Sequence, residues 1–293
     1  MQQTNFSTNR KGIYIMIRLV VDSSADYTTA ELEAKNIELV PLNVVLNDNT
    51  YQDGVTLERN QFYELLTAGD DFPKTSQPSP ESFLAIFEDA KEKGDDVICI
   101  LLSSGLSGTC QSAFLAKNMA DYDNIYIIDS LSATHMIHVM TDYADQMRND
   151  GVSAAEIVEK IEAIKLKVKV FAGVDTMEFL YRGGRVSKAT AAIGELAKIK
   201  PIITVNEEGK VVVAGKCLGK NKALRFITDA LADKELNPDF PLYSIYSYGT
   251  DNCEKLEEKF AKEGRELAGR LQIGATIGAH VGPGAFGVVF VEK

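Results

Sequence analysis

A turn rich in hydroxyl groups follows one of the apolar runs of this chain. Residues 97–102 read VICILL, residues 103–109 read SSGLSGT, and a helical pattern begins after them. A glycine-rich turn between a strand and a helix exposes backbone N–H groups, which together with the helix dipole can hold an anion. The same residues could simply cap the helix. The composition of the turn leaves both interpretations open.

The turn also allows a nucleophile. Residues 105–109 (GLSGT) resemble the start of G-x-S-x-G, the turn that carries the serine of α/β-hydrolases. Ser107, Asp129 or Asp175, and His280 occur in the chain order of that triad, so an esterase or lipase is an alternative. Thr109 stands where the motif has glycine, which weakens this reading. The common nucleotide-binding motifs GxxxxGK[ST] and GxGxxG are absent from the sequence.

A second polar segment precedes a predicted helix. Residues 74–79 read KTSQPS, and proline keeps the residue before it extended. We expect an irregular stretch whose two hydroxyls and amide face a ligand. The competing interpretation is that the segment only leads the chain into the helix.

Histidine and arginine mark two further candidates. His280 lies in residues 278–287 (GAHVGPGAFG), between the end of a predicted strand and a run of glycines that would let the backbone approach a ligand. Arg182 and Arg185 flank a Gly-Gly bend and could contact a phosphate or an acidic partner, or lie in a solvated loop. His135 and His138 are three residues apart on a predicted helix with no third ligand nearby, so we interpret them as structural or surface residues.

The pattern of apolar runs predicts an α/β fold with two domains. In the first half, strands near 17–21, 37–46, 97–102 and 125–128 alternate with helices, as in a parallel, Rossmann-like sheet. The second half contains a hairpin of 201–205 and 211–217, with further strands near 168–174, 242–248, 273–279 and 287–291. This mixture indicates a mixed sheet in an α+β domain. We place the domains at 16–165 and 166–293, after a leader or disordered extension of 1–15.

Bulk properties narrow the class of protein. The net charge of −11 argues against general binding to nucleic acid phosphates. The four cysteines are scattered without CxxC spacing, which argues against a zinc site and fits reduced thiols in the cytoplasm. No apolar run approaches the roughly 20 residues of a membrane-spanning helix, so we expect no stable membrane insertion. Residues 1–24 make a poor signal peptide, because their apolar patch is short and no small-residue cleavage site follows it.

Six segments, in this order, resemble the DegV family of bacterial proteins. They are VDSSAD at 21–26, KTSQPSP at 74–80, SSGLSGT at 103–109, IIDS at 127–130, LYRGGRVS at 180–187 and IGAHVGPGAFG at 277–287. The match extends from Ile17 to the C-terminus, and six ordered motifs are far more specific than any one of them. One departure is that LSATHMIH follows IIDS, where the family usually has small residues with glycine. It bears on the pocket near His135 and Met136, and so on chain preference.

The resemblance implies a lipid carrier. It implies a long-chain fatty acid, such as palmitate, stearate or oleate, held between the two domains without a metal or cofactor. The carboxylate would be held by hydroxyls of Thr75 and Ser107, with His280 nearby. The predicted carboxylate site also includes three neighbours, Ser76, Gly108 and Thr109.

The resemblance also implies a protein partner. Family members of this type present the fatty acid to an ATP-dependent fatty acid kinase, which phosphorylates the carboxylate for phospholipid synthesis. The carrier would have no catalytic activity of its own. Arg182 and Arg185 would contact the kinase or the new phosphate.

Overall fold

The computed structural model describes residues 7–8, 14–192 and 198–293. Residues 1–6 and 9–13, which belong to the predicted leader, lie outside the described part. Within the leader, Ser7–Thr8 (β1) pairs with Tyr14–Ile15 (β2) in an antiparallel ladder. Whether residues 1–15 are a leader or an extension stays a prediction.

The strands and helices of the described residues alternate through most of the chain. The further strands are Ile17–Asp22 (β3), Ile37–Val40 (β4), Asn43–Leu46 (β5), Asn49–Gln52 (β6), Lys74–Ser76 (β7), Asp96–Leu101 (β8), Ile125–Asp129 (β9), Val168–Gly173 (β10), Ile199–Val205 (β11), Val211–Leu218 (β12), Tyr243–Tyr246 (β13), Gly269–Gln272 (β14) and Phe286–Val291 (β15). The helices are Thr29–Lys35 (α1), Arg59–Ala68 (α2), Pro80–Lys93 (α3), Thr109–Ala120 (α4), His135–Asn149 (α5), Ala154–Ile164 (α6), Glu178–Arg182 (α7), Lys188–Ala191 (α8), Lys220–Ala232 (α9), Asp251–Lys262 (α10) and Ala275–Val281 (α11), with a 3₁₀ turn at Ser23–Ala25.

The first sheet has the order β4-β3-β8-β9, and all its neighbouring strands are parallel. This confirms the predicted parallel sheet. Its strands read as continuous apolar runs because both faces are covered. Val20 and Cys99 pack with α3 and α4, whereas Leu19 and Ile98 pack with α5 and α6. Successive residues of a strand point to opposite faces, so one strand contacts both layers of helices.

The second large sheet is mixed, as predicted. Its order is β12-β11-β10-β15-β13-β14, and its one parallel pair joins β13 to β14. The predicted hairpin is confirmed, since β11 pairs antiparallel with β12. Along the chain, β9 is the last strand of the parallel sheet. The next strand, β10, belongs to the mixed sheet and starts at Val168. The division into domains at residue 165 stays a prediction.

The predicted strand at 37–46 is wrong as a single element. It is two strands, β4 in the parallel sheet and β5 in a separate three-stranded antiparallel sheet of order β6-β5-β7. Pro41 lies at the break, where its missing N–H cannot extend a ladder. The expectation of an irregular stretch at 74–79 is also wrong in part, because residues 74–76 form β7.

The predicted strand at 273–279 is a helix instead. The strand β14 ends at Gln272, and helix α11 begins at Ala275. The apolar and small residues of this stretch fit a short buried helix as well as a strand, a known ambiguity of short apolar runs. A Cβ on Gly278 would lie 2.4 Å from the hydroxyl of Tyr63, so this helix packs closer to α2 than a larger residue would allow.

Helix α5 lies between the two large sheets. It contacts β3 and β8 of the parallel sheet and β10 and β15 of the mixed sheet. Ten of its 15 residues are buried, His135 and His138 among them. A helix covered on several sides needs no exposed polar face, which explains why these two histidines are inside the protein and not on its surface.

Candidate functional site

A largely apolar cavity lies where the predicted motifs come together. Its volume is about 50 Å³, below the roughly 300–1,000 Å³ typical of small-molecule sites, so a long ligand enters only if the side chains of the wall move apart. The wall includes residues from both sides of residue 165. It is lined by Leu42, Thr75, Gln77, Leu102, Leu106, Ser107, Ala133, Leu180, Arg185, Val211, Thr276, Ile277, His280 and Val281.

Two buried carboxylates hold the helix that carries His280. Asp53 accepts hydrogen bonds from the backbone N–H groups of Ala275 (3.3 Å) and Thr276 (2.8 Å), and Asp26 accepts one from Gly274 (2.8 Å). The first N–H groups of a helix have no partner within it, so carboxylates at this end satisfy them and complement the helix dipole. Helix α11 is thereby fixed against the first half of the chain.

His280 and Thr75 are neighbours in the cavity wall. The Nε2 of His280 lies 2.8 Å from the hydroxyl oxygen of Thr75. Burial, with the positive charge of Arg185, lowers the pKa of His280 to about 4. The imidazole is therefore neutral at neutral pH and can make polar contacts without adding charge.

Arg185 is the charged member of this wall. Its guanidinium donates to the backbone oxygen of Leu106 at 3.0 Å and to that of Gly183. No carboxylate of the described residues forms an ion pair with it, and burial lowers the pKa of the group. An unpaired, half-buried cation beside neutral hydrogen-bonding groups favours an anionic ligand.

Ser107 lies on the hydroxyl-rich turn, between β8 and α4. Its backbone N–H donates to the oxygen of Ser103 at 3.1 Å, and its side-chain oxygen lies 2.8 Å from that of Thr109. Ser107 is half-buried and lines the cavity, whereas Thr109 is fully buried behind it. Ser107 can therefore reach a ligand while Thr109 orients its hydroxyl.

Not every predicted site residue reaches the cavity. Ser76 is exposed, because it alternates with Thr75 along β7 and points the other way. Gly108 lies against Gln77, whose Oε1 would be 1.9 Å from a Cβ at residue 108. Arg182 stacks on the ring of Phe72 at 3.9 Å and pairs with Glu178 at 2.7 Å, on the surface. The structure thus separates Arg182 from Arg185, which the sequence had treated alike.

Gln77 also lines the cavity, and it is the amide of residues 74–79 that was expected to face a ligand. Its Nε2 donates to the hydroxyl of Ser112 on α4 at 2.9 Å. It lies two residues beyond Thr75, on the same side of the extended chain. The alternation therefore groups Gln77 with Thr75 and separates both from Ser76.

The arrangement of a serine hydrolase is not formed. His280 directs its Nε2 to Thr75 and not to Ser107, and its Nδ1 has no hydrogen-bond partner among the described residues. Of the two candidate acids, Asp129 accepts from backbone N–H groups and Asp175 pairs with Lys200. A triad needs a base that contacts both the nucleophile and an acid, so the esterase alternative is not favoured.

The segment that follows IIDS has two unusual backbone angles. Leu131 and Thr134 both have positive φ angles, of 50° and 54°, in a region that glycine adopts more readily. Ala133 lies between them and lines the cavity, whereas His135 and Met136 do not. Of these three residues, only Ala133 contacts the cavity, so the expected effect of this segment on chain preference would act through Ala133.

Two kinds of feature are absent from the described residues. In residues 7–8, 14–192 and 198–293, no cluster of three or more His, Cys, Asp and Glu side chains is arranged to hold a metal ion. Nor does any helix in this part of the chain have the length and apolar character needed to cross a membrane.

Comparison with sequence families agrees over most of the chain. A family model described as "Uncharacterised protein, DegV family" matches residues 16–293. A DegV domain-containing protein of Caldanaerobacter subterraneus subsp. tengcongensis is 37% identical over 281 residues, which cover 94% of this chain and 99% of that protein.

Solved structures share the fold. A DegV family protein from Thermus thermophilus, described as binding a fatty acid, has a TM-score of 0.85 at 31% identity, with 95% of this chain and 100% of that one covered. A stearic acid-binding protein from Eubacterium ventriosum has a TM-score of 0.85 at 27% identity, with 95% and 99% covered.

Proposed function

This chain belongs to the DegV family, and we propose that it binds a long-chain fatty acid in the cavity and presents the carboxylate to a partner kinase. The observation that carries the proposal is the wall itself. Leucine, isoleucine, valine and alanine side chains form most of it, and its polar groups come from Thr75, Gln77, Ser107, Arg185, Thr276 and His280. An amphiphilic anion with a long apolar tail matches that combination.

The acyl tail and the carboxylate head contribute differently to the free energy of binding. Burying a chain of about 16 carbons gains roughly 0.8 kcal/mol per methylene, or about 12 kcal/mol before costs are subtracted. Each hydrogen bond to the carboxylate adds roughly 1.5–3 kcal/mol, and association costs at least about 4 kcal/mol. The tail therefore supplies most of the affinity, whereas the hydroxyls fix the head in one place.

A fixed head suits a carrier. The phosphorylation of a carboxylate needs ATP, magnesium and positioning groups, which the kinase would supply. Arg185, in the cavity wall, supports contact with the carboxylate or the new phosphate. Arg182 is exposed and pairs with Glu178 on the surface, so it would meet the partner and not the carboxylate in the cavity.

The proposal is tested by titrating delipidated protein with oleate. We expect Thr75→Ala plus Ser107→Ala to weaken binding by roughly 10- to 100-fold, because one or two hydrogen bonds to a charged ligand are lost. Ser104→Ala is the matched control, since Ser104 is an exposed serine of the same turn that does not line the cavity. Unchanged affinity in the double variant would contradict the proposed carboxylate site.

The kinase step needs its own measurement. The loaded protein, ATP, Mg²⁺ and the fatty acid kinase encoded in the same genome should yield acyl phosphate. The double variant should slow the reaction even when it is saturated with oleate, because its carboxylate is misplaced. Equal phosphorylation of free oleate without this protein would contradict a presenting role.

A further inference from the structure

Gly183 lies directly against the edge of the His280 ring. A Cβ at residue 183 would be 2.1 Å from the Nδ1 of His280 and 2.6 Å from its Cε1. The backbone does not require glycine here, because its φ of −73° suits any residue. The lack of a side chain at Gly183 is therefore what allows the imidazole to occupy its place.

The two nitrogens of His280 have different surroundings. The Nε2 has the hydroxyl of Thr75 at 2.8 Å, whereas the Nδ1 is buried without a hydrogen-bond partner. A neutral imidazole carries its hydrogen on one nitrogen only. A hydrogen on Nδ1 would leave a buried N–H without an acceptor, which is costly. A hydrogen on Nε2 gives that N–H the oxygen of Thr75 as its acceptor.

The position of this hydrogen decides what Thr75 offers to a ligand. If the Nε2 were bare, the Thr75 hydroxyl would donate to it and turn its lone pairs towards the cavity. Lone pairs repel a carboxylate. If the Nε2 donates to Thr75, the hydroxyl hydrogen is free to point at the ligand.

We propose that Gly183 is a positioning residue that seats the Nδ1 edge of His280 away from water and any acceptor, and so holds the imidazole as the Nε2–H tautomer that makes Thr75 a donor to the bound anion. The anion is the fatty acid carboxylate, so this inference rests on the proposed function. It also separates the two glycines of the bend. Gly184 has a φ of +75° and open space around it, so its reason for being glycine is conformational.

The first test measures the tautomer without any lipid. Delipidated protein carrying ¹⁵N-labelled histidine is studied by NMR at pH 7, and the His280 signals are assigned from their loss in His280→Asn. We expect a protonated Nε2 and an unprotonated Nδ1. A protonated Nδ1 would overturn the proposal.

The second test compares the neighbouring glycines. Gly183→Ala should displace the ring, change the His280 signals and weaken oleate binding by roughly 10- to 100-fold, the loss of one oriented donor to a charged ligand. Gly184→Ala should lower stability through its strained φ, yet leave the tautomer and oleate affinity as in the wild type. Equal weakening by both substitutions, or wild-type affinity in Gly183→Ala, would overturn the proposal.

A double-substitution cycle shows whether Gly183 acts through His280. In a His280→Ala background, Gly183→Ala should have no further effect on oleate affinity, because the ring it would displace is gone. A full additional loss would overturn the proposed route. If the wild type shows the Nε2–H tautomer but binds no oleate, the proposed function fails while the placement of His280 by Gly183 stands.

Discussion

Two turns of similar composition follow adjacent strands of the parallel sheet, yet they use their polar groups differently. The first turn is residues 22–26 (DSSAD), after β3, and the second turn is residues 103–109 (SSGLSGT), after β8. The first turn is buried throughout. The second turn leaves Ser107 half-buried at the cavity.

The polar groups of the first turn are used within the protein. Asp22 accepts from the N–H of Leu102 at 2.6 Å and from both the N–H and the hydroxyl of Ser24. Asp26 accepts from the Thr134 hydroxyl at 2.6 Å, besides its bond to Gly274 described above. These contacts tie the first turn to Leu102, just before the second turn, and to the start of helix α11.

The second turn leaves part of its hydrogen-bonding capacity unused within the protein. Ser103 is buried and donates to the oxygen of Gly209 at 2.8 Å, so it fastens the hairpin of β11 and β12. Among the described residues, the side-chain hydroxyl of Ser107 has a single partner, the hydroxyl of Thr109. Residue type alone therefore does not separate a structural turn from a binding turn, whereas the number of hydrogen-bond partners within the protein does.

The largest expected effect is on the first turn. Asp22→Ala removes three hydrogen bonds to a buried carboxylate and leaves two N–H groups without an acceptor. We expect a loss of about 5 kcal/mol in the free energy of unfolding, at roughly 1.5–3 kcal/mol for each bond. Denaturant unfolding measures it. A loss below about 1 kcal/mol would mean that the first turn is not structural.

The next largest expected effect is a pH dependence of the stability, which comes from Asp26 in the first turn and has no counterpart in the second turn. Burial raises the pKa of Asp26 to about 7, against about 3.9 for an unfolded aspartate. Between these values the folded state keeps a proton that the unfolded chain releases, so raising the pH favours unfolding. The stability from Asp26 is present below about pH 4 and lost by about pH 7, a change on the order of 4 kcal/mol.

Asp26→Asn isolates that dependence. The amide preserves size and cannot ionise, and the other carboxylates are common to both proteins. The stability of the wild type relative to Asp26→Asn should therefore fall as the pH rises from 5 to 7 and level off above it. Parallel curves for the two proteins across this range would contradict a protonated Asp26.

The smallest expected effect is on the stability of the second turn. Ser107→Ala should change the free energy of unfolding by less than about 0.5 kcal/mol, because the serine is half-buried and its side chain hydrogen-bonds only to another hydroxyl among the described residues. Thr109→Ala is the contrasting variant, since Thr109 is fully buried at the start of α4. A loss in Ser107→Ala as large as that in Thr109→Ala would place Ser107 among the structural residues.

The sequence was informative where local chemistry is sufficient. Strands β3, β8 and β9 followed from uniform apolar runs, and Thr75, Ser107 and His280 followed from motifs that the fold brings to one cavity. The distinction between Arg182 and Arg185 was out of reach. It depends on the orientation of the short helix α7. Arg182 contacts Phe72 and Glu178, and the sequence of the bend does not predict these two partners.

Other features depend on tertiary structure. The burial of His135 and His138 follows from the position of α5 between two sheets, which no local pattern encodes. Asp53 anchors helix α11 across a separation of more than 200 residues. The sequence at 273–279 fits a strand or a helix, and contact with Tyr63 and the buried carboxylates favours the helix.

The most direct test of the account is mass spectrometry of an organic extract from the purified protein, taken before and after incubation with a mixture of palmitate, stearate and oleate. We expect about one equivalent of a fatty acid of roughly 16 to 18 carbons per chain, and its loss on washing to be faster in Thr75→Ala plus Ser107→Ala than in Ser104→Ala. A wild-type protein that retains no fatty acid from the mixture would contradict the central claim that this cavity holds a long-chain carboxylate.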